Sequence, residues 1–120
     1  MCHIYSHTDP IMYESRSRSV RISKVVTSIK LENLFWDTLA ELATDSNMTT
    51  NELIALLHDE VYEFRGETSN FASFLRVTCM RYLGIKAQSV QQVRHAIRDT
   101  NVRQPLARHD FQLSQSPSAL

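Results

Sequence analysis

The stretch Thr27-Ser28-Ile29-Lys30-Leu31-Glu32 constrains the fold more than any other part of the chain. Thr27, Ile29 and Leu31 fall on one face of an extended backbone, and Ser28 and Lys30 on the other. That period of two marks a strand with one buried side. Within a few residues the apolar period changes. Phe35, Trp36, Leu39, Leu42 and Ala43 recur at the spacing of a helical face. The chain offers this strand no convincing partner of its own. An unpaired strand leaves a row of backbone donors and acceptors open, so it must be paired or covered. A second copy of the same chain is the economical partner. The expectation is a homodimer whose two strands form an antiparallel ribbon.

The segment just upstream, Arg18-Ser19-Val20-Arg21-Ile22, also alternates, but out of step. Counting by twos from Val20 and Ile22 reaches Val26, Ser28 and Lys30, the outward set. A bend or bulge near Ser23-Lys24 is therefore expected before the regular strand begins. Downstream, the first helix is expected from Glu32-Asn33 to about Asp45, with Glu32 and Asp37 in its early turns, where carboxylates suit the helix dipole. Thr49-Thr50-Asn51-Glu52 has the T-x-x-E spacing of a capping box and should open the second helix. Leu53, Ile54, Leu57, Val61 and Phe64 form its apolar stripe, and Arg65-Gly66 suits its end. Ser69 or Asn70 is the expected cap of a third helix carrying Phe71, Phe74, Leu75, Thr78, Tyr82 and Leu83, with Gly84 as its stop. Ser89-Val90-Gln91-Gln92 then opens a weaker fourth helix, where Val90, Val93 and Ile97 are sparse. The result is a mainly α chain in three parts: an arm of low periodicity over 1–17, a strand-and-helix domain over 18–84, and a helix with a polar tail over 85–120. The tail, from about residue 101, carries Pro105 and Pro117.

Composition narrows the function classes. A chain of 120 residues has a limited core, and burial between two copies would add to it. No apolar run approaches the roughly 18–20 residues of a membrane span. Nor does the N-terminus read as a secretory signal. Cys2 and Cys79 lie in an arm and a helical pattern, so no disulfide is expected and a cytoplasmic setting fits. Net charge is zero, but its distribution is uneven. Residues 1–31 hold five Lys/Arg and two Asp/Glu, residues 32–67 one and nine, residues 68–120 seven and two. Arg16, Arg18, Arg21, Lys24 and Lys30 bracket the strand with no carboxylate among them. Local asymmetry of this kind is what a charged partner meets at close range. Glycine-rich phosphate loops, cysteine pairs at metal spacing and nucleophile motifs are all missing, so neither an enzyme nor a cofactor is expected. His58-Asp59-Glu60 would point in different directions on a helix and reads as surface charge. His3 and His7 are four apart, yet Asp9-Pro10 disfavours a helix there, and no metal site is expected.

Two motifs in order carry a resemblance. Thr27-Ser28-x-x-Leu31-Glu32-x-x-Phe35-Trp36-x-x-Leu39 is followed by Asn70-Phe71-Ala72-Ser73-Phe74-Leu75-Arg76-Val77. Together they resemble the ribbon-helix-helix (Arc-like) DNA-binding family, in a bacterial subgroup with an extra C-terminal helix. Ser23 stands where that subgroup often has glycine, and Phe71 and Phe74 where smaller residues are usual. The resemblance implies a homodimer on double-stranded DNA, a bacterial or phage transcriptional regulator and by expectation a repressor, with assembly beyond the dimer left open. A two-stranded ribbon fits the major groove, where each base pair shows a distinct donor and acceptor pattern. By phase, Val26, Ser28 and Lys30 would read bases. Thr49, Thr50 and Asn51 at a helix N-terminus, with Arg18, Arg21 and Lys24, would contact phosphates. The expected dimer core is Thr27, Ile29, Leu31, Phe35, Trp36, Leu39, Leu53, Ile54 and Leu57. The rival reading is a protein-interaction module or antitoxin-type protein whose segment 85–120 binds a partner.

Overall fold

The computed structural model describes residues 2–102. Its order is α1 (Cys2–Ser6), α2 (Pro10–Tyr13), β1 (Ser15–Ile22), β2 (Val25–Glu32), α3 (Asn33–Asp45), α4 (Thr50–Arg65) and α5 (Phe71–Val102). A two-stranded antiparallel sheet followed by helices is the ribbon-helix-helix order, as expected. The chain divides after Arg81 into two compact units. Of the polar tail expected from about residue 101, residues 103–120 lie outside the described residues.

The ribbon corrects one expectation. β2 has its partner within the chain: β1 pairs with it antiparallel from Ser15↔Glu32 to Ile22↔Val25. The phase conflict upstream marks a reversal rather than a bulge. Ser23 and Lys24 form a two-residue loop, with φ at +50° and +71°. Positive φ at both central residues gives a hairpin turn whose twist matches the strands. The reversal sets Ile22 opposite Val25 and Val20 opposite Thr27. Residues that seemed out of step thereby join the inward face, and Val20, Ile22, Ile29 and Leu31 are all buried. Ser23 Oγ donates to Asp59 Oδ1 of α4 at 3.3 Å, which ties the turn to that helix.

α3 covers the inward face of the sheet. Trp36, Leu39 and Ala43 are buried at i, i+3 and i+7, one stripe of a 3.6-residue period. The Trp36 indole N–H donates to the Arg16 carbonyl at 2.9 Å, so its polar edge is satisfied inside the core. Buried Thr38 donates to the Leu34 carbonyl at 2.9 Å. The arm is more ordered than its composition predicts. α2 is capped by Asp9, with Pro10 at the first helical position. The Asn33 side-chain amide donates to the Ile11 carbonyl at 2.8 Å, and its backbone N–H to the Glu14 carbonyl at 2.8 Å.

α4 opens on the expected capping box. The Glu52 N–H donates to Thr49 Oγ1 at 3.1 Å, and the Thr49 N–H to Glu52 Oε1 at 2.8 Å. It ends at Gly66 in the left-handed region, φ +80°, whose N–H donates to the Tyr62 carbonyl. Leu53 and Ile54 are buried and Leu57 half-buried, but Phe64 departs from the expected stripe and is 84% exposed. Eleven residues, about three turns, on from Leu53, it keeps nearly the same heading, but it stands at the end of the helix, past the core. α5 completes the core of the first unit with Leu75 and Cys79. Asn70 precedes it at φ +58° and accepts the Phe74 N–H through its carbonyl. The expected stop at Gly84 and restart at Ser89 do not occur, because α5 runs through both. A glycine inside a helix costs about 0.5–1 kcal/mol relative to alanine, which weakens a helix without ending it. In the second unit, Lys86 Nζ donates to Tyr82 Oη at 3.2 Å, and Val90, Val93 and Ile97 are exposed.

Candidate nucleic-acid interface

The pleat sends alternate residues of the hairpin to opposite faces. On the face away from α3, β2 presents Val26, Ser28 and Lys30, all exposed. Across the ladder from them stand Arg21, Ser19 and Ser17 of β1, also exposed. Ser15 and Glu32 close the row at the strand ends. The face therefore carries two cations and a set of short hydroxyls. Its one carboxylate, Glu32, is held by Arg76 of α5, with Nε donating to Oε1 at 2.9 Å and Nη2 to Oε2 at 3.4 Å. The Arg76 guanidinium holds the Glu32 carboxyl below its ordinary range, so it stays ionised but paired.

The structure separates the arginines that the sequence groups together. Arg21 lies on the outward row beside Val26. Arg18 lies on the inward face, half-buried, with its guanidinium 4.9 Å from the centre of the Trp36 ring. That placement is a cation–π contact within the fold, and it withdraws Arg18 from the expected phosphate set. Lys24 occupies the tip of the hairpin, exposed. At the start of α4 the Thr49 hydroxyl and amide are both committed to the capping box, and the Glu52 carboxylate sits at that same end. Thr50 and Asn51 begin the first turn, half-buried and exposed respectively.

The expected dimer core lies mostly inside one chain. Ile29, Leu31, Trp36, Leu39, Leu53 and Ile54 are closed over by the chain's own elements, with Phe35 and Leu57 packed partly buried against them. Thr27 shares the inward face but is exposed. Among the described residues, an open groove of about 300 Å³ is lined by Phe35, Arg76, Val77, Met80 and Arg81. Val77 is 56% exposed and Met80 63%.

The outward row of β1, Ser17, Ser19 and Arg21, is what the sequence reading missed. Its signal was present as alternation through residues 16–22. The reversal was hidden because Ser-Lys is not the Asn-Gly type of pair that announces a two-residue turn. His58, Asp59 and Glu60 face different surroundings. His58 packs edge-on against Phe71 with ring centroids 5.0 Å apart, Asp59 accepts from Ser23, and Glu60 is exposed. His3 and His7, within and just after α1, bring their rings together at a tilt of 38°, 5.3 Å between centroids. Among the described residues no cluster of three or more His, Cys, Asp or Glu could hold a metal. No helix among them is long and apolar enough to cross a membrane.

Comparison with known proteins fits this geometry. Residues 15–83 match the ribbon-helix-helix domain family. Among solved structures, the chain is similar to an uncharacterized protein from Bordetella pertussis Tohama I. The two are 44% identical with a TM-score of 0.70, over 73% of this chain and 70% of that one. None of the curated proteins compared matches the chain.

Proposed function

We propose a function from one premise: the chain belongs to the ribbon-helix-helix family. The family implies DNA binding. Our reading is that the protein is a sequence-specific transcriptional regulator, a repressor, acting as a cytoplasmic homodimer that lays its ribbon in the major groove. The observation that carries it is the outward face of the hairpin, where Val26, Ser28 and Lys30 are exposed beside Arg21 and the one carboxylate is neutralised by Arg76. Lys30 suits guanine O6 or N7, Ser28 donates or accepts, and Val26 suits a thymine methyl. Lys24 at the tip and Thr50 and Asn51 at the start of α4 are the proposed phosphate contacts. The second copy is proposed to cover the groove at Val77 and Met80. An apolar patch of this sort is commonly an interaction site.

The test begins with duplexes selected from a random pool by the full-length protein. The double variant Ser28→Ala, Lys30→Ala should keep its helical circular dichroism and melting profile. It should bind the selected duplex at least about tenfold more weakly, while binding random duplex nearly as well. Undiminished binding to the selected duplex by the folded variant would refute the base-reading assignment.

One observation favours a second reading, of antitoxin type. In the second unit, Val90, Val93 and Ile97 are 47%, 50% and 57% exposed, an apolar row on a helix with no cover among the described residues. A protein partner on that row would protect its amides from hydrogen exchange. DNA alone would not.

A further inference from the structure

We infer that β1 reads bases as well as β2, so that one chain presents a complete two-stranded reading head, with Arg21 and Lys30 at its two ends. This rests on the DNA-binding reading above and names further residues of the same site. The inference comes from the ladder register. Arg21 pairs with Val26, Ser19 with Ser28, and Ser17 with Lys30, and these six side chains occupy one exposed face. A single strand would offer Val26, Ser28 and Lys30 alone. The hairpin doubles the row at no change in height above the sheet, because cross-strand partners sit about 5 Å apart in the same plane. Any groove that receives Lys30 and Ser28 also receives Ser17 and Ser19.

Chemistry assigns the roles. Arg21 and Lys30 are the long donors of the face, and both suit the paired acceptors O6 and N7 of guanine. Ser17, Ser19 and Ser28 are short, and each hydroxyl both donates and accepts, so they let the backbone approach and serve the bases between the cations. The register also fixes a spacing. The Arg21–Val26 pair and the Ser17–Lys30 pair lie four residues apart along the strands. At about 3.3 Å per residue that is about 13 Å. With a base-pair rise of about 3.4 Å, the two cations reach positions about four base pairs apart. Arg21 is thus a specificity determinant rather than a phosphate clamp, whereas Lys24, one turn position beyond, stays with the backbone set.

The experiment uses the full chain and two duplexes of equal length, one selected by the wild-type protein from a random pool and one of random sequence. Arg21→Ala and Lys30→Ala alter exposed side chains, and circular dichroism with thermal melting checks that both variants fold. Arg21→Ala should lower the ratio of selected to random affinity about tenfold or more. Repeating the selection with it should erase the preference at one base pair. Lys30→Ala should erase a different one, about four base pairs away. Ser17→Ala with Ser19→Ala should relax the positions between. The inference is overturned if Arg21→Ala weakens selected and random duplex equally, with a shallower salt dependence, while Lys30→Ala still lowers the ratio of selected to random affinity. In that event Arg21 contacts phosphate and β2 alone reads. If the wild-type chain selects no sequence at all, the DNA-reading proposal fails and this inference with it.

Discussion

At the scale of single residues, the positions that decide most are those whose backbone the side chain does not favour. Ser23 and Lys24 both hold positive φ without being glycine, a conformation that costs about 1–2 kcal/mol per residue. Ser23 recovers part of it through Asp59. Lys24→Gly should therefore stabilise the fold by about 0.5–1 kcal/mol, read from denaturant unfolding followed by the fluorescence of Trp36. A loss of stability would show that the hairpin turn is not closed in this way. The Glu32–Arg76 pair makes a second prediction. Both side chains are about a third exposed, so the pair itself contributes under about 1 kcal/mol. Its sign with pH is set by the lowered Glu32 pKa. Folding is favoured by the pair above the ordinary glutamate value of 4.5 and loses that contribution as pH falls through the depressed folded value. Arg76→Ala should flatten stability against pH in that acidic window and leave the slope near neutrality unchanged. Cys79 differs again: burial pushes its thiol up to about 11, and its Sγ faces the Phe35 carbonyl at 3.7 Å. It is a core residue, not a reactive one.

Among the elements, caps and interiors behave differently. Capping signals were legible because they are local: Thr49 and Glu52 close a box within three residues, and Gly66 supplies the left-handed end that α4 needs. Gly84 misled because a lone glycine lowers helix propensity without breaking a hydrogen bond. It lies inside α5, and a Cβ added there would meet nothing within 4 Å. Gly84→Ala should raise helical content and stabilise α5 by about 0.5–1 kcal/mol, measured by far-ultraviolet circular dichroism and melting. If the variant lost helicity, the helix would have to end near residue 84 after all. The core elements are less forgiving. Leu31, Leu39, Ile54 and Leu75 are each fully buried, and truncation of such a side chain costs about 2–5 kcal/mol.

For the whole molecule, the question is what a second copy adds. The hairpin satisfies β2 within the chain, and one chain buries its own Trp36-centred core. Dimer formation is therefore not required to pair the ribbon. On our proposal it serves to cover the groove at Phe35, Val77 and Met80 and to set two reading heads on one site. Val77→Asp places a charge where the second copy would bury it, and desolvating that carboxylate costs far more than the valine methyls contribute. The variant should stay folded and sediment as a monomer at concentrations where the wild-type protein is a dimer. Its affinity for a paired site should fall more than its affinity for a single half-site. A dimer that persists in the folded variant would move the interface elsewhere, with the open edge of β2 as the next surface to test.

Much of this was written in local pattern. The alternation Thr27–Leu31, the helical stripe from Trp36 to Ala43 and the box at Thr49–Glu52 are short-range regularities. A strand, a helix and a cap each follow from a few neighbouring side chains. Two motifs in order were enough to indicate the family. The tertiary structure decided what depends on distant residues meeting. It folded Ser15–Ile22 back on Val25–Glu32, because a turn formed by Ser23 and Lys24 is stabilised by the pairing it allows and by Asp59, not by its own sequence. It placed Arg18 over Trp36 and Arg21 on the open face, since only the register tells alternate residues of β1 apart. The strand that seemed to need another chain found its partner in its own, and the face it presents to DNA on our reading is consequently twice as wide.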